Sequence, residues 1–395
     1  MRSQTIRGIS RARLGWVVRD SWFLLGVLAL GVLTSFILTS IGSLPAATKQ
    51  PAQKSSSASA NIHANTTTIT PVAVGDLPVS PVQARSFPIN PENVGLMQPA
   101  IDADGAVWFG EMNVNLLGRL NTQTGKVTTW KPPDGKYNIM QTAVDQHGNI
   151  WYTEQAANYI GRFDPHAERF TVYRLNTVNG HTSAPQDLTF DSAGKLWFTE
   201  ISGNAIGRLD PATGAMRTWP IPPVAGESNS YPYSLAVAQD GHIWFGELSG
   251  GAVGSLDPVS GAVKLYPLAN HKALVFSMAA DKDGYVWFTE LEQPVLGMID
   301  IKTGQVREIP IPDKLGQPSG IYAVTTSAKG SVWFACASIN AIVRYEPAKQ
   351  AFAFYPLNIP KSVPYGLTLD QRGNLWFTGD ATPTNYVGEL RIQGT

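Results

Sequence analysis

The sequence has little cysteine and little charge. One cysteine, Cys336, occurs in 395 residues, which excludes an internal disulfide and a metal site built on thiolates. Only 15% of the residues are charged, and 30 Lys and Arg balance 30 Asp and Glu. The chain therefore lacks the excess of basic residues that is typical of nucleic-acid-binding proteins. The 37 Gly and 28 Pro stand at regular places, as a turn-rich all-β protein requires.

The N-terminal end is typical of a membrane anchor. Residues 1–20 contain five Arg and one Asp, and residues 21–44 contain no charged residue. An apolar run of about 20 residues can cross a hydrocarbon core, and an Arg-rich N-terminal flank predicts that this end stays in the cytoplasm while the rest is exported. We therefore predict a basic cytoplasmic tail over 1–20 and a single-pass cell-membrane anchor over 21–44. The alternative is a signal peptide cleaved near residues 44–47, which would make the protein secreted, but the apolar region of such a peptide is normally about 7–15 residues long.

Residues 45–84 differ in composition from what precedes them. The run PAATKQPAQKSSSASANIHANTTTIT is rich in Ser, Thr and Ala and lacks aromatic residues, so it cannot bury enough apolar surface to fold. We interpret residues 45–84 as a flexible linker of about 40 residues that spans about 35 Å and holds the next domain away from the membrane.

Residues 85–395 consist of a repeat. A pattern such as LWFTE occurs seven times, and successive Trp residues are 43 to 47 residues apart. The blades of four-stranded propellers repeat about every 40–45 residues, which matches this spacing. We expect the seven Trp residues to be structural and to lie in the core: Trp108, Trp151, Trp197, Trp244, Trp287, Trp333 and Trp376.

Each repeat divides into four predicted strands. A turn with glycine precedes the Trp strand, a bend that often contains Asn follows it, and a second hairpin such as DPATG leads to the fourth strand. The last copy stops after its third strand, whereas residues 84–89 (ARSFPI), before the first copy, have the fourth-strand pattern. This predicts an all-β fold, one seven-bladed β-propeller closed by an N-terminal strand, because that strand removes the open edge of the ring. The candidate bend residues are Asn115, Asn158, Asn204, Asn340 and Asn385.

The repeat pattern WFTE…NxIGRLDPxTG…YPL resembles the streptogramin B (virginiamycin B) lyase family of seven-bladed propellers, over roughly residues 85–394. The resemblance implies an enzyme that linearises a cyclic depsipeptide antibiotic by elimination. It also implies a histidine base and a magnesium ion that polarises the substrate. β-Elimination needs both a group that takes the α-proton and a positive charge where negative charge develops.

The family's catalytic histidine lies at the start of an innermost strand, eleven residues before the Trp. None of the seven matching positions here is His: they hold Met97, Met140, Gln186, Tyr233, Phe276, Tyr322 and Tyr365. Tyr365 stands where the family has its base, and Tyr322 where it has another functional histidine. A tyrosine hydroxyl has a pKa of about 10 and is a poor base at neutral pH unless its environment lowers that pKa. His181 and His271, each sixteen residues before a Trp, are the histidines that could replace the base, so Tyr365, Tyr322 and His271 are the catalytic candidates.

The resemblance implies a metal ligand in the seventh blade. Asp380 matches a metal-binding Glu of the family, four residues after the Trp, and carboxylate oxygen is a ligand that Mg²⁺ prefers. A second acidic position of the family holds Val363 here. The expected cofactor is therefore Mg²⁺, with Asp380 as its candidate ligand.

Five repeats have Glu three residues after the Trp, and two interpretations apply. The carboxylates could form an acidic ring that attracts cations, or they could be structural and accept hydrogen bonds from the backbone of their own turn or of the next blade. Packed sheets lie about 10 Å apart whereas metal–oxygen bonds are about 2.0–2.6 Å, which favours the structural interpretation. Blades six and seven replace the Glu with Cys336 and Gly379, so any activity is expected there. The five are Glu111, Glu154, Glu200, Glu247 and Glu290.

Three functions are compatible with these residues. Tyr233, Phe276, Tyr322 and Tyr365 form a predicted aromatic patch opposite Met97, Met140 and Gln186, which either binds a bulky, partly aromatic or cationic ligand or only plugs the channel mouth. The first function is an anchored lyase for a cyclic peptide or lactone-like compound, and the second a non-catalytic propeller that binds a small molecule, peptide or glycan outside the cell. The third is a protein-interaction propeller, because a fold does not fix a function. We expect a monomer.

Overall fold

The computed structural model describes residues 47–55, 60–89, 94–133, 138–224, 229–359, 362–381 and 384–392. The predicted tail over 1–20 and anchor over 21–44 lie outside these residues. Within them, no helix has the length and apolar character needed to cross a membrane. The described chain is built from β-strands, with one short 3₁₀ helix at Pro347–Lys349.

Six strands precede the first repeat. They are β1 (Thr48–Pro51), β2 (Gln53–Lys54), β3 (Ala60–Asn61), β4 (Asn65–Ile69), β5 (Val72–Val74) and β6 (Val82–Ile89).

Seven antiparallel sheets follow, and each is made mainly of strands that are consecutive in the chain. Blade 1 contains β7 (Ala100–Ile101), β8 (Val107–Glu111), β9 (Leu116–Leu120) and β10 (Lys126–Lys131). Blade 2 contains β11 (Ile139–Val144), β12 (Ile150–Glu154), β13 (Tyr159–Asp164) and β14 (Arg169–Arg174). Blade 3 contains β15 (Pro185–Phe190), β16 (Leu196–Glu200), β17 (Ala205–Leu209) and β18 (Met216–Pro220). Blade 4 contains β19 (Pro232–Val237), β20 (Ile243–Glu247), β21 (Ala252–Leu256) and β22 (Val263–Pro267).

The last three blades repeat this order. Blade 5 contains β23 (Val275–Ala280), β24 (Tyr285–Glu290), β25 (Val295–Asp300) and β26 (Val306–Pro310). Blade 6 contains β27 (Ile321–Thr326), β28 (Val332–Cys336), β29 (Ala341–Glu346) and β30 (Ala351–Pro356). Blade 7 contains β31 (Pro364–Leu369), β32 (Leu375–Ala381) and β33 (Thr384–Arg391) and is completed by β6.

The ring closes through the N-terminal strand. β33 pairs with β6 in antiparallel register, from Asn385↔Ile89 to Arg391↔Gln83. Phe87 is buried in this joint and stacks on Trp376 with 6.2 Å between ring centroids. The prediction of a seven-bladed all-β propeller closed by residues before the first repeat is therefore confirmed.

Residues 47–81 differ from the predicted flexible linker. β1 pairs with β14, β2 and β3 pair with β10, β4 pairs with β6, and β5 pairs with β30. These four outer edges supply hydrogen-bond partners to a segment that has no aromatic residue of its own. Composition did not reveal this because a strand added to an existing sheet edge needs no separate core.

The Trp strands are buried on both faces. Trp108 stacks on Trp130 of its own blade, 5.4 Å between centroids, and lies 5.8 Å from Phe163 of blade 2. The following residue, Phe109, points to the opposite face, where a Cβ on Gly118 would lie 2.2 Å from its Cε2. The Gly in the third strand is therefore needed because the Phe ring fills the space above it.

An aspartate six residues before the Trp ties the indole to the preceding turn. In blade 3, Asp191 Oδ2 accepts from Trp197 Nε1 at 2.8 Å, while Oδ1 accepts from two backbone N–H groups of the turn. The same indole bond is made by Asp102, Asp145, Asp281 and Asp370. Ala238 and Ser327 hold this position in blades 4 and 6, where the Nε1 atoms of Trp244 and Trp333 have no hydrogen-bond partner in the described chain.

The predicted Asn bends agree with the backbone in four blades. Asn115, Asn158, Asn204 and Asn340 have φ between 49° and 57°, the left-handed region that Asn tolerates. Asn385 instead lies within β33, opposite Asp380, because β32 and β33 extend further than the matching strands of the other blades.

Candidate functional site

The predicted site lies at the mouth of the central channel, where the innermost strands begin. In six blades the pairing between the innermost strand and the Trp strand shifts register near the first residue, for example between Pro185 and Leu188 in blade 3. Such bulges re-aim side chains. They occur at the positions that match the family's histidine.

Four aromatic rings from blades 4 to 7 meet at this mouth. The ring centroid of Phe276 lies 4.9 Å from that of Tyr233, 5.1 Å from that of Tyr322 and 5.6 Å from that of Tyr365. Tyr322 and Tyr365 are 4.9 Å apart. Tyr233, Phe276 and Tyr322 are buried, whereas Tyr365 is half-buried. We refer to these four rings as the aromatic cluster.

The aromatic cluster is a poor environment for a base. Burial raises the pKa of the Tyr233 hydroxyl well above its usual value, and a hydrogen bond with Tyr365 raises it further. Both effects favour the neutral phenol. The structure thus places Tyr322 and Tyr365 in an aromatic packing contact at the positions where the resemblance implies histidine.

The other side of the mouth is filled by Met97, Met140 and Gln186, which are all buried. The side chain of Gln186 is fixed, since its Oε1 accepts a hydrogen bond from Gln155 Nε2 at 2.7 Å. The seven positions therefore divide into an aromatic half and a half made of methionine and glutamine, as the sequence predicts.

A polar cavity of about 150 Å³ lies in the channel beside the aromatic cluster. Its lining includes Gln98, Gln141, Thr189 and Ser277. Asp187 also faces it and accepts hydrogen bonds from the backbone N–H groups of Leu188 and Leu235, at 2.8 and 2.9 Å. Burial raises the pKa of Asp187 to about 7, although the two N–H groups oppose the rise.

Sequence reasoning missed Asp187, although a signal was present. It directly follows Gln186, one of the seven mouth positions, and it is the one carboxylate among the residues that follow them. Tyr231 was also missed. It has φ of 55°, which a bulky residue rarely adopts, whereas the matching positions of blades 1, 2 and 6 hold Gly95, Asn138 and Gly320, all with positive φ.

The two candidate histidines lie in exposed loops. His181 is held only through its backbone, by exchange of hydrogen bonds with Val178. The His271 backbone packs close to Gly251. Within the described chain no hydrogen-bond partner orients either imidazole, so the structure gives neither the fixed geometry of a general base.

The candidate metal ligand lies in the second strand of blade 7. The backbone of Asp380 lies in β32 opposite Asn385, but its side chain lies outside the part of the chain that the structure describes. Among the described residues, no group of three or more His, Cys, Asp or Glu could hold a metal ion. The expected Mg²⁺ ion and its ligand Asp380 therefore stay a prediction.

The recurring glutamates are buried between blades and do not line the mouth as a solvated ring. Glu111, Glu154, Glu200, Glu247 and Glu290 are each at most 2% exposed. Glu200 Oε1 accepts a hydrogen bond from Thr218 Oγ1 at 2.8 Å. Both carboxyl oxygens of Glu111, Glu247 and Glu290 have no hydrogen-bond partner among the described residues. The prediction that backbone groups hold these carboxylates is therefore wrong for these three.

Burial has a strong effect on the unpartnered acids. It raises the pKa of Glu111 to about 8 and that of Glu290 to about 7. It also raises the pKa of Glu247 to about 8, even though the nearby Ser230 hydroxyl, which is not at hydrogen-bond geometry, opposes the rise. A carboxyl that cannot be solvated is kept neutral.

Packing accounts for the departures of blades 6 and 7. Cys336 is fully buried, and burial raises the pKa of its thiol to about 11. In blade 7, a Cβ on Gly379 would lie 2.0 Å from Cζ of Tyr386, its neighbour across the strand pair. The Tyr386 hydroxyl forms a hydrogen bond with Ser362. The matching pair in blade 3 is Glu200 and Ala205. The large side chain of the pair is thus on the Trp strand in blade 3 and on the third strand in blade 7.

Comparisons with known proteins agree with the repeat. The Virginiamycin B lyase family matches residues 82–390. A structure of a catalytically inactive histidine-to-alanine virginiamycin B lyase from Staphylococcus aureus with quinupristin is 25% identical, with a TM-score of 0.69, and covers 79% of this chain and 99% of that chain. A streptogramin B lyase structure is 27% identical, with a TM-score of 0.68, and covers 78% and 97%. No curated protein matches the chain.

The family match spans the seven blades, including the closing strand β6, and begins after residues 47–81. Because the family match extends over most of the sequence, the chain belongs to the virginiamycin B lyase family.

Proposed function

We propose that this protein binds a bulky, partly aromatic small molecule or cyclic peptide at the channel mouth and does not catalyse the elimination of its family. The observation that carries the proposal is the aromatic cluster. It holds Tyr322 and Tyr365, which stand at the family's histidine positions, in mutual ring contact. Elimination needs a group that accepts a proton at neutral pH, and a phenol, whose ordinary pKa is about 10, does not supply one.

The shape of the mouth supports a ligand of this class. Tyr365 is the half-buried member of the aromatic cluster, so it presents ring surface to a ligand while Phe276 supports it from behind. Aromatic surface with a few polar groups is the usual lining of small-molecule sites, and stacking on such rings contributes about 0.5–1.5 kcal/mol per pair. Tyr231, two residues before Tyr233, has a positive φ. Because strained residues are common at binding sites, Tyr231 is a further candidate for contact with the ligand.

We propose further that the propeller is exported and held at the cell membrane by residues 21–44, because of their length and of the arginines before them. Protease added to intact cells would digest the propeller in that case. Protection of the propeller until the cells are lysed would contradict export.

An active lyase is the second candidate function, and family membership favours it. In that case His271 would take the proton, and Asp380 would hold Mg²⁺, which supplies the positive charge for the developing anion. Turnover that is lost on chelation and in Asp380→Ala would establish it.

The test uses quinupristin as the probe, because it is bound in the structure of the related lyase. The purified full chain is titrated with quinupristin by calorimetry, and the same samples with magnesium are followed for ring opening by mass spectrometry. We expect binding without ring opening, and weaker binding in Tyr365→Ala. Tyr266→Ala is the matched control, since Tyr266 is a half-buried tyrosine on the outer strand β22. Ring opening by the unaltered chain would refute the non-catalytic proposal, and failure to bind would exclude this ligand class.

A further inference from the structure

We propose that residues 47–55 and 60–81 form a clamp that keeps the propeller ring closed at its one non-covalent joint, the pairing of β33 with β6. We refer to these residues as the strap. The family match begins at residue 82, so the strap lies outside the matched propeller. The proposal is independent of the ligand at the channel mouth.

The placement of the strap is the first observation. Its strands pair with the outer edges of blades 2, 1, 7 and 6, in that order along the chain. These four blades are consecutive in the ring, and the joint lies among them, in blade 7. A segment that only covered free edges could lie on any blades, whereas this one spans both sides of the joint.

The strap is closely fitted to the blades. Ile62 donates its backbone N–H to the Gly125 carbonyl at 2.9 Å, and a Cβ on Gly125 would lie 1.9 Å from the Ile62 oxygen. Lys54 pairs with Glu168 of blade 2 at 2.7 Å. Ile69 and Leu77 are buried. The turn of blade 1 thus depends on glycine because the strap passes directly over it.

The edges that the strap covers are of two kinds. In blades 3, 4 and 5, which it leaves open, the outer strand ends in proline, at Pro220, Pro267 and Pro310, and proline is a common device that prevents further pairing of an edge. Among the covered strands, β6 and β30 also contain proline, at Pro88 and Pro356, whereas β10 (KVTTWK) and β14 (RFTVYR) contain none. In blades 1 and 2 the strap therefore pairs with edges that would otherwise be open to other chains.

The clamp acts because the strap is continuous with the joint strand. β6 pairs with β33 on one side and with β4 on the other, while β5, two short turns away along the chain, pairs with β30 of blade 6. Withdrawal of β6 from the joint, together with its partner β4, would require β5 to leave β30 as well. The strap is therefore expected to slow ring opening, the first step of unfolding in a ring held by one non-covalent joint.

Gly125 provides a point variant of the full chain with a matched control. Gly125→Ala places a Cβ against the strap, whereas Gly214→Ala changes the same hairpin turn in blade 3, where no strap strand pairs. Their φ angles are 73° and 75°, and the nearest atom to a Cβ on Gly214, Tyr173 Cε1, is at an ordinary 3.6 Å. Both variants bear the same cost of Ala in the left-handed region, so the difference between them isolates the strap.

We expect hydrogen exchange of residues 60–69 to increase in Gly125→Ala and not in Gly214→Ala. The unfolding rate in guanidinium, followed by tryptophan fluorescence, should be about tenfold higher in Gly125→Ala than in the control. Increased exchange of the strap with equal unfolding rates would overturn the proposal.

A second experiment applies if Gly125→Ala leaves the strap protected. A protease site inserted between Val79 and Ser80 is cut after the full chain has folded, which detaches the strap from β6. Faster unfolding of the cut protein after removal of the strap peptide supports the clamp. The same unfolding rate before cutting and after removal of the peptide overturns it.

Discussion

The unpartnered buried glutamates predict that the propeller loses stability as the pH rises from 5 to 8. Burial raises the pKa of Glu111 and Glu247 to about 8 and that of Glu290 to about 7, from an ordinary 4.5. The folded state thus favours the protonated carboxyl more than the unfolded state does. Stability from these groups is complete below pH 4.5 and is lost as the pH rises through the folded pKa.

The magnitude follows from the size of the shift. One pKa unit corresponds to about 1.4 kcal/mol, so a group whose pKa rises from 4.5 to 8 loses at most about 3.5 kcal/mol of stability between pH 5 and pH 8. Three such groups are a large part of the 5–15 kcal/mol or so that stabilises a typical domain. Asp187, with its pKa raised to about 7, acts in the same direction.

Guanidinium unfolding at pH 5, 6, 7 and 8 measures this effect, with Glu247→Gln as the test variant. Gln resembles the protonated acid, so the variant should match the unaltered chain at pH 5 and be about 2–3 kcal/mol more stable at pH 8. Glu292→Gln is the control, because Glu292 is exposed and should leave the pH dependence unchanged. A stability that is flat or rises from pH 5 to pH 8, or an unchanged slope in Glu247→Gln, would refute the reasoning.

Three more predictions concern the packing of single blades. Asp191→Ala removes the acceptor of the Trp197 indole and should cost about 3 kcal/mol in chemical denaturation, whereas Ala238→Asp, which restores the missing acceptor in blade 4, should raise stability by about 1 kcal/mol. Gly379→Ala should lower the melting temperature by several degrees, because its Cβ would overlap the Tyr386 ring, and Tyr386→Ala in the same chain should recover part of the loss. Cys336 should react with a thiol reagent only after unfolding, because its thiol is buried with a pKa of about 11; rapid reaction of the folded protein would contradict the structure.

The fold was predictable from sequence because its information is local and repeated. Each copy has the turn glycine, the Trp–Phe strand and the second hairpin at the same spacing, so seven weak signals reinforce one another. The closing strand was predictable because the last copy lacks its fourth strand and residues 84–89 supply one. The strap was not, since its strands are defined by the edges of blades far away in sequence.

The positions of the candidate site were predictable from the sequence, whereas the contacts and surroundings of its side chains were not. The spacing from each Trp located the seven residues of the channel mouth, from Met97 to Tyr365. It did not show that Phe276 joins three tyrosines into one packed cluster, that Asp187 lines a cavity in the channel, or that Tyr386 occupies the space opposite Gly379. The first two facts depend on contacts between blades that lie about 45 residues or more apart along the chain, and the third depends on the pairing of two strands in blade 7.

The sequence by itself determined the number of blades, the strands within each blade and the family, because the residues responsible lie within one repeat. The tertiary structure decided which carboxyls are left without partners, which aromatic rings meet at the mouth and where the N-terminal segment runs. Each of these depends on the distance between neighbouring sheets and on the burial that the closed ring imposes. Neither quantity is a property of any one repeat.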